Sequence, residues 1–136
     1  MNRSMRKTVT SLKMLLVLLV ATVSLSSCEA DDFWYRDTIE GSWRVVEIRQ
    51  DYGYCPYRYG DVMYFAFDGG FGMRGRDGSV EYGNWTLFKG RVLVDFDFDG
   101  IDDLSARIVQ MDDGYAVLDC KDYYYNSRYS LRMIRY

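Results

Sequence analysis

Turn signals recur at short, regular intervals along most of this chain, and that spacing limits the folds it can adopt. Asp-Gly and Lys-Gly pairs separate stretches in which apolar and polar residues alternate, as at Leu104, Ala106 and Ile108. Asp-Gly is among the strongest short hairpin signals. Many short strands joined by Gly-containing turns are typical of an antiparallel meander that closes into a barrel or a sandwich.

The alternation predicts eight strands. Tyr, Trp and Phe, which favour strands, make up 17% of the residues, and Pro occurs once. No stretch after residue 28 shows sustained helical periodicity. We therefore expect an all-β fold, a single antiparallel up-and-down barrel over residues 39–136. The expected strands are 42–50, 62–67, 71–76, 80–88, 91–98, 104–111, 115–121 and 128–136.

Residues 1–27 have the form of a cleaved secretory signal peptide. The first thirteen residues contain four basic residues and no acid, and residues 14–25 are a nearly unbroken apolar run. The alternative is a transmembrane helix, which needs roughly 20 apolar residues. This run is shorter, and the polar residues 26–29 follow it directly.

Leu25-Ser26-Ser27-Cys28 resembles the lipobox of bacterial lipoproteins. The resemblance implies that cleavage occurs before Cys28, which is then acylated and anchors the chain in a membrane, with residues 28–38 as a lipidated tether. The alternative is a different cleavage site that leaves Cys28 a simple thiol. Glu29-Ala30-Asp31-Asp32 resembles the acidic signals that direct some lipoproteins to the outer face of the outer membrane of Gram-negative bacteria. A solvated acidic linker is the other interpretation.

Removal of residues 1–27 takes away four of the 17 basic residues and none of the 20 acids. The remaining 13 basic residues give a net charge of −7, which argues against nucleic acid as a partner because phosphate binding depends on clustered Lys and Arg. Without any His, the common acid–base and nucleophilic arrangements are also absent, so neither an enzyme nor a bound cofactor is expected.

Cys55 and Cys120 are the two cysteines of the predicted domain. In an oxidising envelope such a pair is more often bonded than free. A disulfide that closes a loop of this length contributes on the order of 4 kcal/mol by the chain-entropy argument. The sequence predicts this bond and leaves two free thiols as the alternative. Two Cys without His do not complete a zinc site.

Gly41-Ser42-Trp43 opens the first predicted strand, and Arg132 and Arg135 lie in the last. This pattern resembles that of the lipocalins (calycins), in which a Gly-x-Trp enters the first strand and an Arg from the end of the barrel covers the Trp. The resemblance implies a barrel that binds a small apolar or amphipathic ligand in its interior. The expected interior ligand-binding residues are Trp43, Phe65, Phe67, Leu104 and Leu118.

A second hypothesis is a filled barrel that binds a glycan or a protein through Tyr-rich loops. Tyr offers a large, rigid contact face with a polar tip. A Cys55–Cys120 bond would bring the two loops to one end of the barrel. The alternative role for these rings is to cover that end and pack on Arg side chains. The candidate residues are Tyr54, Tyr57, Arg58, Tyr124, Tyr125 and Arg128.

The run from Asp95 to Asp103 matches the first part of a calcium loop. Acids occupy positions 1, 3, 5 and 9 (Asp95, Asp97, Asp99 and Asp103), and Gly100 occupies position 6. Position 12, where a bidentate Glu is expected, is Ala106. The competing interpretation is a half-buried strand, with Val94, Phe96 and Phe98 on one face, that ends in an Asp-Gly turn.

Overall fold

The computed structural model describes residues 31–136. The predicted signal peptide and the predicted lipidation site at Cys28 lie outside the described residues. Within residues 31–136, no helix has the length and apolar character needed to cross a membrane.

Eight antiparallel strands form one closed barrel, in which each strand pairs with the next and the last pairs with the first. The predicted all-β, up-and-down barrel is therefore confirmed. The bounds of β4 and β6 are as expected, and those of the other six strands differ from the expected ones by a few residues at most. The strands are β1 (Gly41–Tyr52), β2 (Val62–Phe65), β3 (Gly70–Arg74), β4 (Val80–Phe88), β5 (Arg91–Asp95), β6 (Leu104–Met111), β7 (Tyr115–Asp122) and β8 (Ser127–Arg135).

The barrel interior is packed with side chains from every strand. On β7, Ala116, Leu118 and Cys120 alternate inward with at most 2% exposure, as the sequence pattern predicts. Large rings fill the space between the walls, and Phe65 contacts Phe71 and Trp85 edge to face. Burial of each large apolar side chain contributes about 1.5–3 kcal/mol, so this core stabilises the closed barrel.

The connections between strands alternate between the two ends of the barrel. One end, which we call the mouth, carries the connections at residues 53–61, 75–79, 96–103 and 123–126. The other, which we call the closed end, carries those at 66–69, 89–90 and 112–114. All the Tyr-rich and acidic segments that the sequence analysis singled out as binding loops lie at the mouth.

Residues 31–39 form a helix, α1, which the sequence analysis did not predict. It packs at the closed end, where Ile39 is fully buried and the Arg36 guanidinium lies 5.6 Å from the Trp85 ring centroid. The Asp32 carboxylate accepts hydrogen bonds from the backbone N–H groups of Lys89 and Gly90, at 2.9 and 2.8 Å. The described part of the predicted tether is thus an ordered helix, and Asp32 has a structural partner.

Arg135 closes this end over Trp43. Its guanidinium carbon lies 3.9 Å from the ring centroid, and the Trp43 indole N–H donates to the Ile39 carbonyl at 2.7 Å. Gly41 has a φ of +110°, and a Cβ there would lie 3.2 Å from Arg135 Nη1. A side chain at position 41 would therefore be strained and would crowd the guanidinium.

Three expectations about individual residues are wrong. Arg132 does not cover Trp43; it points outward and pairs with Glu47 at 3.2 Å. Phe67 is 81% exposed in the turn after β2, so it is not an interior residue. The alternating strand expected to reach Phe98 ends at Asp95, because the chain then curls into a loop and Phe98 adopts a φ of +58°.

Candidate binding site at the barrel mouth

The two Tyr-rich loops meet at the mouth. The Tyr54 and Tyr125 rings contact each other edge to face with centroids 4.9 Å apart, and Tyr124 contacts Tyr125 at 4.8 Å. Close packing of Gly53 against Ser127 brings the loops together, since a Cβ at position 53 would lie 2.5 Å from the Ser127 Cβ. The topology alone therefore assembles the Tyr cluster, without a disulfide.

Tyr57 differs from the other tyrosines of its loop. It is 3% exposed and packs edge to face on the buried Tyr129, with centroids 5.8 Å apart. Burial, reinforced by the charges of nearby groups including Asp122, raises the pKa of Tyr57 well above its ordinary value. Tyr57 therefore belongs to the core and covers the end of the barrel, which is the alternative role expected for these rings, although its small exposed surface still lines both mouth cavities.

Asp122 positions the second Tyr loop, although the sequence analysis did not select it. This carboxylate is 3% exposed. It accepts a hydrogen bond from the Tyr129 hydroxyl at 2.9 Å and from the backbone N–H groups of Tyr124 and Tyr125 at 3.1 and 3.0 Å. The only available sequence signal was its place directly before three consecutive tyrosines, which is a turn pattern for Asp.

A cavity of about 780 Å³ lies at the mouth beside the first Tyr loop. Its lining combines aromatic rings, both signs of charge and amide or hydroxyl groups. Arg58 is part of this lining, and the backbone N–H of Arg58 donates to the buried Asp61 carboxylate at 2.8 Å, which fixes the loop. The lining residues that bear on binding are Gln50, Tyr54, Tyr57, Arg58, Tyr59, Asp61, Arg76, Asp77, Ser79 and Glu81.

A second cavity, of about 360 Å³, lies between the two Tyr loops and the acidic loop. Pro56, Tyr82, Phe96, Tyr124 and Tyr125 provide its apolar surface. Asp97, Asp103, Asp122 and Glu81 complete the lining, and neither Lys nor Arg belongs to it. This cavity is therefore aromatic on one side and acidic on the other.

Arg128 lies outside both cavities. It is on the outer surface of β8, where its guanidinium pairs with Asp119 at 3.6 Å. Asp119 also pairs with Arg107 at 3.5 Å, so these three residues form a surface charge network. The expectation that Arg128 joins the Tyr cluster is wrong, because its strand position directs it away from the mouth.

Cys55 and Cys120 are free thiols in this structure, so the predicted disulfide is not formed. The Cys55 thiol is directed to the Tyr57 carbonyl at 3.7 Å, and Cys120 is fully buried on β7. Burial, then the charge of Cys55, raises the pKa of Cys120 well above its ordinary value. Burial also raises the pKa of Cys55. Neither thiol is therefore activated as a nucleophile.

The remaining interior residues of the ligand hypothesis are core residues. Trp43, Phe65, Leu104 and Leu118 are at most 3% exposed, and they line neither of the two mouth cavities. Ala106, at the last position of the calcium pattern, is also buried in the barrel wall. These residues therefore fill the barrel interior, and the cavities lined by the Tyr-rich loops lie at the mouth.

Neither a protein-family model nor a curated protein matches the chain.

Proposed function

We propose that this chain is a lipid-anchored envelope protein of a Gram-negative bacterium, with a lipocalin-like barrel whose mouth binds a glycan. The observation that carries the proposal is the exposed cluster of Tyr54, Tyr124 and Tyr125 beside a cavity of about 780 Å³. The closed eight-strand barrel and the stacking of Arg135 on Trp43 support the likeness to lipocalins.

A saccharide fits the chemistry of the mouth. Tyr54, Tyr124 and Tyr125 are 54%, 75% and 43% exposed, so their rings are available to stack on the apolar faces of sugar rings. These rings are rigid and lose little conformational entropy on binding. Arg58 and Asp77, with other polar groups of the cavity, supply donors and acceptors for hydroxyl groups. A strictly apolar ligand would leave those polar groups without partners.

An anchor at Cys28 would hold the end of the barrel opposite the mouth near the membrane. Only residues 29 and 30 lie between Cys28 and the start of the described chain, and the three steps from Cys28 to Asp31 span at most about 10 Å. Helix α1 packs at the closed end, so an acylated Cys28 keeps that end near the membrane. With strands of about this length tilted at about 40°, the mouth lies roughly 20 Å from the closed end. This orientation presents the Tyr cluster to partners outside the membrane.

A small amphipathic ligand at the mouth is the second candidate. The cavity of about 360 Å³ favours it, because Pro56, Tyr82 and Phe96 provide an apolar floor of the size that small-molecule sites require. Such a ligand would place its apolar part against Phe96. It would direct any cationic group toward Asp97 and Asp103, since the cavity contains no Lys or Arg.

Binding of the full chain, purified in a non-ionic detergent, to an array of bacterial and host glycans tests the first candidate. We expect Tyr124→Ala to weaken binding about tenfold, taking for a sugar ring the roughly 1–3 kcal/mol that stacking on one aromatic side chain contributes for a nucleobase. Tyr64→Ala is the matched control, since Tyr64 is 50% exposed on β2 and lines neither mouth cavity. Both variants should keep the melting temperature of the parent chain.

Equal loss in both variants would contradict a specific role for the Tyr cluster. Absence of glycan binding, together with displacement of a fluorescent amphipathic probe that depends on Phe96, would favour the second candidate. Glycan binding that survives Tyr124→Ala and Tyr54→Ala would refute the proposed site.

A further inference from the structure

The acidic loop, residues 95–103, gathers three carboxylates. One oxygen atom each from Asp95, Asp97 and Asp99 lies within 4.8 Å of the other two. Asp95 is only 8% exposed, and its Oδ1 atom is buried without a hydrogen-bond partner. Burial of a carboxylate oxygen without a hydrogen-bond donor or a cation costs a large desolvation free energy. A bound cation would offset that cost at Asp95 Oδ1.

The other oxygen atoms hold the loop in shape. Asp95 Oδ2 accepts from the Gly100 N–H, Asp103 Oδ2 from the Phe96 N–H, and Asp99 Oδ1 from the Ile101 N–H, each at 2.8 Å. Asp97 is the member of the cluster without such a backbone bond among the described residues. The loop therefore keeps its carboxylates together through its own backbone, and Asp95 Oδ1 and Asp97 remain available for a ligand.

No cationic side chain neutralises this cluster in the described residues. None of the aspartates Asp95, Asp97, Asp99 and Asp103 lies within 4.0 Å of a Lys or Arg nitrogen in residues 31–136. The groups around Asp97 are all acidic: Asp95, Asp99 and Asp103 in the loop, and Glu81 and Asp122 across the adjoining cavity.

We propose that the acidic loop binds Ca²⁺ through the carboxylates of Asp95, Asp97 and Asp99. Carboxylate oxygens are the ligands that this hard cation prefers, and it needs six to eight of them at about 2.3–2.6 Å. Gly100, with a φ of +82°, provides the sharp turn after the third acid. The ion gives the buried Asp95 Oδ1 its missing partner.

The departures from the calcium pattern set the expected affinity. Ala106 stands where a bidentate acid would lie and is buried in the barrel wall. Asp103 uses one oxygen to hold the Phe96 N–H, so it has one oxygen left. With so few protein ligands, water must complete the coordination. We therefore expect a dissociation constant of about 10⁻⁴–10⁻³ M, the range of extracellular modules.

The proposal is tested on the full chain in non-ionic detergent, treated with EGTA and titrated with CaCl₂ at pH 7.5 by calorimetry and by thermal melting. We expect 10 mM CaCl₂ to raise the melting temperature by at least about 5 °C.

Asp97→Asn distinguishes an ion site from a structural cluster. The Asn amide removes one charge and can donate a hydrogen bond to Asp95, so we expect the calcium-free variant to melt above the parent chain. The same variant should bind calcium at least tenfold more weakly. Asp112→Asn is the matched control, because Asp112 accepts a backbone N–H in the turn at the closed end. That variant should keep the full calcium response.

Three results would overturn the proposal. One is a wild-type melting temperature that does not change up to 10 mM CaCl₂. Another is an Asp97→Asn response equal to that of the parent chain. An equal effect of MgCl₂ would show general screening of acidic charge and would refute a calcium site. None of these results depends on whether the mouth binds a glycan.

Discussion

Replacement of Arg135, which is only partly exposed, should strongly destabilise the barrel. Its guanidinium donates hydrogen bonds to the carbonyls of Thr38, Glu40 and Asp113, and it covers the Trp43 ring at 3.9 Å. Two of these carbonyls lie at the C-terminal end of α1, where a positive charge is favourable. Arg135→Ala therefore removes the link between helix, ring and last strand.

The structure sets the size of the effect. A cation over a Trp ring contributes about 1–2 kcal/mol when it is partly shielded from water. Hydrogen bonds from a charged donor contribute about 1.5–3 kcal/mol each, although water replaces part of this at a half-exposed site. We expect a net loss of about 3–4 kcal/mol from a total of about 5–15 kcal/mol. The melting temperature should fall by about 12–20 °C.

Urea unfolding followed by Trp fluorescence measures this loss, with Arg132→Ala as the matched control. Arg132 is three residues away on the same strand, but its only described ion pair is the exposed one with Glu47. Exposed pairs contribute about 0–1 kcal/mol, so the control should lose little. Arg135→Lys, which keeps the charge and loses the planar fork, should fall in between. Equal losses for Arg135→Ala and Arg132→Ala would refute the reasoning.

Two further predictions concern other parts of the barrel. Gly83→Ala should lower the free energy of unfolding by about 2 kcal/mol, because its Cβ would lie 2.5 Å from the Asp95 carbonyl oxygen. Gly114→Ala is the control and should change the free energy of unfolding little, because no atom lies within 4 Å of its Cβ position. Equal urea midpoints for the two variants would contradict this prediction. Burial is the first cause that raises the pKa values of Tyr57 and Tyr129, so both phenols ionise only after unfolding. Stability should be fully present below pH 10 and fall above it, by up to about 1.4 kcal/mol per pH unit for each phenol; alkaline melts that are unchanged in Tyr129→Phe would contradict this.

The strands were predictable because their signals are local. Alternation at Leu104, Ala106 and Ile108 and Gly-containing turns on both sides define a strand without knowledge of its neighbours. The structure keeps all eight strands. Where alternation failed, at Phe96 and Phe98, the flanking acids Asp95 and Asp99 accept backbone N–H groups of the loop, and the strand ends at Asp95. A two-residue period cannot distinguish those alternatives.

Helix α1 was not predictable because its supports are distant in sequence. Its last turn is fixed by Arg135, which lies 97 residues after Thr38 and 95 residues after Glu40. Its first turn is fixed through Asp32 by backbone groups 57 and 58 residues away. The segment itself has no amphipathic period, so its helical form depends on docking against the closed end.

The candidate site was predictable in part. The sequence identified both Tyr loops, and the up-and-down order places them at one end because they follow β1 and β7. Which ring enters the core is set by packing: Tyr57 lies against Tyr129, while Tyr54 remains 54% exposed. Residue type is the same at both positions, so no sequence pattern separates a core tyrosine from a contact tyrosine here.

Many of the acidic residues of the domain stabilise the connections between strands, which the net charge alone does not show. In each of the seven connections between strands, an Asp carboxylate accepts a backbone N–H. In four of them the short Asp side chain reaches the backbone two residues on. In the other three the accepted N–H group lies farther along the chain or before the Asp. Much of the negative charge therefore builds turns and does not by itself indicate a cationic partner. The acidic loop differs from the other connections in one respect: it brings three carboxylates together around a buried oxygen atom without a partner. The turn-building residues, in order of the connections, are Asp61, Asp68, Asp77, Asp32, Asp95, Asp112 and Asp122.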